Sequence, residues 1–161
     1  MRNIVYFDLE TQLSAAQVGG WHEASKMRLS IGCTYSTKDN AYHIYTEDRV
    51  EELIEELRMA DLVVGFNHIG FDYQVLQAYT FWTVADVTRN LDMCTDLGAR
   101  MGVPRTKLDN VATPTLMGNS KTAEGTDALK WWAEYEKTGD VQKILDIAKY
   151  CCYDVKVTME V

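Results

Sequence analysis

Long apolar runs are missing from this 161-residue sequence. The stretch Asp61–Phe66 is among the most apolar, yet it falls far short of the ~20 residues a bilayer-spanning helix needs. The opening segment, Met1–Asp8, meets an acidic residue almost at once, which argues against a secretory leader. A soluble, cytoplasmic protein with no membrane partner is expected. Positive charge is also scarce: 16 Lys+Arg stand against 24 Asp+Glu, a net charge of −8. A protein that held long nucleic acid by counterion release alone would be basic, so a strong non-specific binder is excluded. An enzyme gripping a few nucleotides at a strand end stays open, with divalent metals offsetting part of the local negative charge.

Paired cysteine motifs are lacking too. Cys33, Cys94, Cys151 and Cys152 show no C-x-x-C spacing and no zinc pattern with His22, His43 or His68. Adjacent Cys151 and Cys152 rarely reach the geometry of a shared disulfide. They read as small, buried or half-buried thiols of a reducing compartment. Internal repeats, low-complexity segments and dividing linkers are likewise absent, so residues 1–161 form a single domain. Its 47% hydrophobic and 25% charged residues are ordinary for a globular chain and exclude disorder over most of the length.

What is present reads as alternating elements. Asn3–Leu9 is apolar, β-branched and aromatic, a first strand. Residues 11–26, with Gly19-Gly20, form a loop holding about one helical turn. Met27–Tyr35 and Ala41–Tyr45 are two strands joined as a hairpin across Lys38-Asp39-Asn40. Thr46 caps a helix with Val50, Leu53, Ile54 and Leu57 on one face. A short buried strand, Asp61–Phe66, turns through Asn67–Gly70 into a helix over Phe71–Tyr79. Asn90–Cys94 is a weak edge strand leading into a short helix through Met101, and Lys107–Leu116 holds another, its end blurred by Pro114. After a loop at Gly118–Gly125, helices follow at Thr126–Lys137 and Val141–Glu160. This order predicts an α/β domain, a mixed sheet with helices packed on it.

Three short segments carry chemistry. Asp8-Leu9-Glu10 ends the first strand, and side chains at i and i+2 leave a strand on one face. Two carboxylates that close repel unless a cation lies between them, and hard oxygen donors suit Mg²⁺ or Mn²⁺. The alternative is a solvated strand edge. In Tyr150-Cys-Cys-Tyr-Asp154, helical i, i+4 spacing projects Tyr150 and Asp154 together. A phenol beside a metal-bound carboxylate can orient an attacking water; an amphipathic helix with a half-buried tyrosine is the plain alternative. Asp72 falls early in a helix after a buried strand and a turn, where the helix dipole tolerates it and a second cation would want it.

Together these segments resemble the DEDD superfamily of 3′→5′ exonucleases, of the ribonuclease H-like proofreading type. Its D-x-E, N-x-x-F-D and Y-x-x-x-D patterns stand here as Asp8-Leu-Glu10, Asn67-His-Ile-Gly-Phe-Asp72 and Tyr150-Cys-Cys-Tyr-Asp154, in that order. Tyr150, where another branch has histidine, marks the DEDDy branch. Leu108-Asp-Asn-Val-Ala, Leu116-Met-Gly118, Leu129-Lys-Trp-Trp and Gly139-Asp140 are similar to ribonuclease H-like exonuclease domains found beside helicase-like modules.

The resemblance implies a ribonuclease H-like sheet, its first three strands antiparallel and the later ones parallel. It also implies phosphodiester hydrolysis with two divalent metal ions, Mg²⁺ or Mn²⁺, at the 3′ end of single-stranded DNA or RNA, DNA being favoured. Nucleoside 5′-monophosphates are the implied products. By the same analogy Asp8 bridges the metals, Glu10 and Asp154 complete one site, Asp72 serves the other and Tyr150 orients the water. Thr11 and Gln12 are placed to offer backbone N–H groups to the terminal nucleotide, and Leu13 to wedge against its base. Asn67 either contacts substrate or caps the following helix, and Phe71 is either core or a base-stacking surface. His68 is left as a loop histidine outside the motif. Trp131 and Trp132 are packing residues or a stacking surface. Arg100, Arg105, Lys107 and Lys121 are a solvated face or phosphate contacts. The sequence stops soon after Asp154, so a helicase or polymerase partner is expected to be a separate protein. Two rivals stay open: a ribonuclease H-like endonuclease and a catalytically silent nucleic-acid-binding module on the same fold.

Overall fold

Alternation along Ile4–Thr11 sets the architecture. Val5, Phe7, Leu9 and Thr11 are buried on one side of this strand, while Tyr6, Asp8 and Glu10 leave by the other. A computed structural model describes residues 2–94 and 125–160. In it this strand, β1 (Ile4–Thr11), lies at the centre of a five-stranded sheet. The others are β2 (Leu29–Ser36), β3 (Ala41–Thr46), β4 (Leu62–Gly65) and β5 (Asn90–Asp92), in the order β3-β2-β1-β4-β5. β1–β2 and β2–β3 pair antiparallel, whereas β1–β4 and β4–β5 pair parallel. The expected mixed sheet is therefore present, strand direction included.

Helices cover both faces. Besides α1 (Ala15–Val18), one face carries α2 (Val50–Met59), α3 (Tyr73–Leu76) and α4 (Val84–Val87). There Val5, Phe7 and Leu9 join Leu53, Leu57, Tyr73 and Leu76 in one core. Gly32 lets α2 approach this closely, since a Cβ on it would stand 2.6 Å from the Leu53 side chain. The opposite face carries α5 (Gly125–Thr138) and α6 (Val141–Glu160), whose Ala128, Ile147, Cys151 and Val155 pack on Ile31 and Cys33. None of the described helices is long and apolar enough to cross a membrane.

The structure moves several boundaries. β2 starts at Leu29 rather than Met27, because Arg28 takes a left-handed backbone (φ 61°) where the β1–β2 register slips between Glu10 and Thr11. Thr46 is extended but makes no side-chain cap; its hydroxyl donates to the Asp48 carboxylate. A tight turn at Glu47–Arg49 then precedes α2, whose buried Val50, Leu53, Ile54 and Leu57 are the expected ones. The helix expected from Phe71 begins earlier, as a wide π-turn over His68–Asp72. The short helices expected through Met101 and over Lys107–Leu116 lie outside the described residues, as do Arg100, Arg105, Lys107 and Lys121.

Candidate metal centre

Two elements bring three carboxylates together. Asp8 and Glu10 leave β1 toward α6, and Asp154 comes down from α6, one turn after Tyr150. One carboxylate oxygen from each of Asp8, Glu10 and Asp154 lies within 4.8 Å of the other two. Asp154 is buried, Asp8 and Glu10 half-buried. Hard oxygen donors at this spacing could hold a divalent cation, and like charges so close are unfavourable without one.

Asp72 lies beside this cluster, brought there by the π-turn. Asn67 opens that turn with a left-handed backbone (φ 60°), a conformation asparagine tolerates better than most residues. The turn packs tightly: a Cβ on Gly65 would stand 2.6 Å from the His68 ring, so glycine suits that position. Asp72 is buried, and its Oδ2 has no hydrogen-bond partner among the described residues. Burial pushes its carboxyl well above the usual range and the Asp92 carboxylate adds to this; hydrogen bonds from the Leu9 and Asp72 backbone N–H groups, and a proton shared with the Asp8 carboxyl, offset it only in part. A buried carboxylate oxygen without a hydrogen-bond partner among the described residues, next to Asp8, is a donor a hard cation would satisfy.

Tyr150 is buried on α6, edge-on to Trp131 with ring centroids 6.4 Å apart. Its hydroxyl faces the start of α5, where a Cβ on Gly125 would stand 3.9 Å away. Gly125 in turn borders a cleft of about 1010 Å³, which Glu10, Thr11, Leu13, Asn67 and Phe71 also line. Five of the residues singled out in the sequence thus share one cavity next to the carboxylates.

Gln12 does not face it. Its backbone N–H donates to the Arg28 carbonyl at 2.9 Å, and its buried side chain donates to the Leu29 carbonyl (3.0 Å) and to Glu47 (3.1 Å). Glu47 also accepts from Arg28 (2.8 Å) and Tyr79 (2.6 Å), so Gln12 belongs to a network bracing the end of β1. The Leu13 N–H likewise goes to the Met27 carbonyl, leaving its side chain for the cleft. Asn67 makes no side-chain cap; its backbone N–H donates to Asp92 at 2.8 Å. Phe71 packs on the core and also lines the cleft. Trp131 and Trp132 are half-buried against the second core.

Several contributors were not found from sequence. His68 is no loop histidine: it is fully buried, its Nε2 3.1 Å from Asn90 Oδ1. Trp21 stands exposed at the cleft, edge-on to Phe71 with centroids 5.5 Å apart. The Cys151 thiol sits against Asp8, 3.4 Å from its carbonyl oxygen; burial pushes it up strongly, and so do Cys33 and Asp8. Its place between Tyr150 and Asp154 was the available signal for Cys151. Trp21 and His68 carried none, because their neighbours come from distant segments.

This sheet order and site sit within a known group of folds. The family model described as RNase_H superfamily matches residues 5–161. Among solved structures, the chain is similar to the family B DNA polymerase from the hyperthermophilic archaeon Pyrobaculum calidifontis, with a TM-score of 0.68 and 16% identity. That alignment covers 99% of this chain and 24% of the polymerase, so the chain spans about a quarter of its length. No curated protein matches. At that identity the polymerase shows the fold alone, but the family model runs nearly end to end: the chain belongs to the RNase_H superfamily.

Proposed function

We propose that this protein is a metal-dependent 3′→5′ exonuclease of the DEDDy type, trimming single-stranded nucleic acid to nucleoside 5′-monophosphates, with DNA favoured over RNA. The observation that carries the reading is the convergence of Asp8, Glu10 and Asp154 within 4.8 Å, beside a cleft that Glu10 itself lines. Asp8, Glu10 and Asp154 would hold one divalent ion, Mg²⁺ or Mn²⁺, and Asp72 with Asp8 a second. Bound there, such ions supply Lewis acidity and a nucleophilic water for phosphodiester cleavage.

The protein's own groups do the positioning. Leu13 and Phe71 offer apolar surface for the terminal base, and Asn67 offers a polar side chain to the substrate backbone. The Tyr150 hydroxyl, one helical turn before Asp154 and facing Gly125 at the rim of the cleft, orients the attacking water by hydrogen bonding. The net negative charge favours short-reach work on a strand end over tight binding of long nucleic acid. A separate helicase or polymerase could deliver that end.

The test is a 5′-labelled single strand incubated with Mg²⁺ or Mn²⁺. Stepwise shortening from the 3′ end is expected, absent in EDTA and with Asp8→Ala. A ladder that survives either condition overturns the metal mechanism. Cutting of a circular single strand would show an endonuclease instead, and inactivity on every DNA and RNA substrate would favour a binding module.

A further inference from the structure

Three of the four cysteines meet where α6 crosses β2. Cys33 is fully buried at the middle of β2, opposite Asp8 in the β1–β2 register. Cys152, 119 positions later, comes down from α6 and places its Sγ 2.9 Å from that of Cys33. A disulfide bond is about 2.05 Å long, so a shift of roughly 0.9 Å would join them. Cys152 is half-buried and lines a second cleft, of about 580 Å³, with Tyr42, Trp131, Lys149 and Lys156. Cys152 therefore borders open space that a small oxidant can enter. Cys151 also neighbours Cys33 but is fully buried, its thiol turned to the Asp8 carbonyl. Neighbouring Cys151 and Cys152 on one helix are poorly placed to bond each other.

We propose that Cys33 and Cys152 are a reversible oxidation site, closed to a disulfide by a peroxide entering through the Tyr42–Trp131–Cys152 cleft. The Cys152 thiol gives up its proton and the thiolate attacks one peroxide oxygen, forming a sulfenic acid; the departing hydroxide takes up that proton and leaves as water. The Cys33 sulfur then displaces the sulfenic hydroxyl, which leaves as a second water. Two thiols and one hydrogen peroxide give one disulfide and two waters; the sulfurs lose two electrons and the peroxide gains them. A dithiol reverses the step by exchange. The bond ties β2, next to Asp8, to the helix that bears Tyr150 and Asp154. Oxidation therefore braces that helix against the sheet.

The experiment treats the purified full chain with hydrogen peroxide, counts free thiols and maps crosslinks by peptide mass spectrometry. It reads thiol chemistry, independently of any nuclease activity. The expected result is a Cys33–Cys152 linked peptide, loss of two thiols and recovery with dithiothreitol. Cys152→Ser is expected to lose the link, and Cys151→Ser to keep it. The linked protein should melt about 5–15 °C higher, because the bond closes a long loop. A sulfinic acid on Cys152 with no link, a different pairing, or four unchanged thiols overturns the proposal. A linked protein whose Tm does not rise overturns the bracing role.

Discussion

Asp72 shows what a single residue contributes to this site. Its carboxyl is buried and held well above the usual range mainly by desolvation, with Asp92 adding to it. Without metal, that buried acid weakens the fold at neutral pH. Asp72→Asn is therefore expected to stabilise the metal-free protein by ~1 kcal/mol, about 2–4 °C in Tm, when melted in EDTA near pH 7. The same variant should lose metal-dependent trimming; a less stable variant in EDTA would show that the carboxylate is satisfied without a cation. Tyr150 poses a different question, since its hydroxyl and not its ring is assigned to the water. Tyr150→Phe keeps the packing on Trp131 and is expected to lower kcat about 100-fold, with Mn²⁺ affinity from calorimetry unchanged. Unchanged kcat would remove the hydroxyl from the chemistry. Both residues were readable in the sequence because i, i+4 spacing and a motif placed them. The orphaned Oδ2 of Asp72 was not, since it arises from what packs above the turn.

The π-turn at His68–Asp72 is the element on which the site geometry depends most. It joins β4 to α3 through a left-handed Asn67 and seats His68 against Gly65, Asn90 and Tyr73. Burial holds the His68 pKa below its ordinary value, while Asp92 and Asn90 partly oppose this. The unfolded chain then binds a proton that the folded one refuses, so stability is full above the unfolded pKa of about 6.5 and is lost as the pH falls below it. Wild-type Tm is expected to drop more than that of His68→Gln between about pH 7.5 and pH 5.5. Equal drops would show that this imidazole is protonated within the fold. Here the sequence was less informative. Strands β1 and β3 and helices α5 and α6 follow from periodicity within a residue or two, while α2 starts three residues later than a Thr46 cap implies. The π-turn has no periodicity, and the start of β2 was misjudged because the slip at Glu10/Thr11 depends on pairing.

At the scale of the whole molecule, the chain carries a net charge of −8, and the substrate proposed for it is itself a polyanion. On the proposed reading few phosphates are neutralised by side chains, and bound metal supplies the rest of the local compensation. Binding of a single strand in Ca²⁺ is expected to fall with a log–log salt slope of about −1.4 to −2.1, the value for two or three phosphate contacts. Fluorescence anisotropy across a salt series measures it; a slope steeper than about −5 would reveal an extended basic track and contradict strand-end binding.

Composition and spacing, read alone, determined the α/β class, the order of the main elements and the three acidic segments. These are local properties: strand and helix periods put Asp8 with Glu10, and Tyr150 with Asp154, on shared faces whatever the rest of the chain does. Only the tertiary structure decided which faces meet. The parallel β1–β4 pairing and the π-turn bring Asp72 beside Asp8, 64 positions away. The crossing of α6 over β2 sets Cys152 against Cys33 and Asp154 against Asp8. Such contacts depend on packing between distant segments, where shape and burial count and sequence separation carries no trace of them.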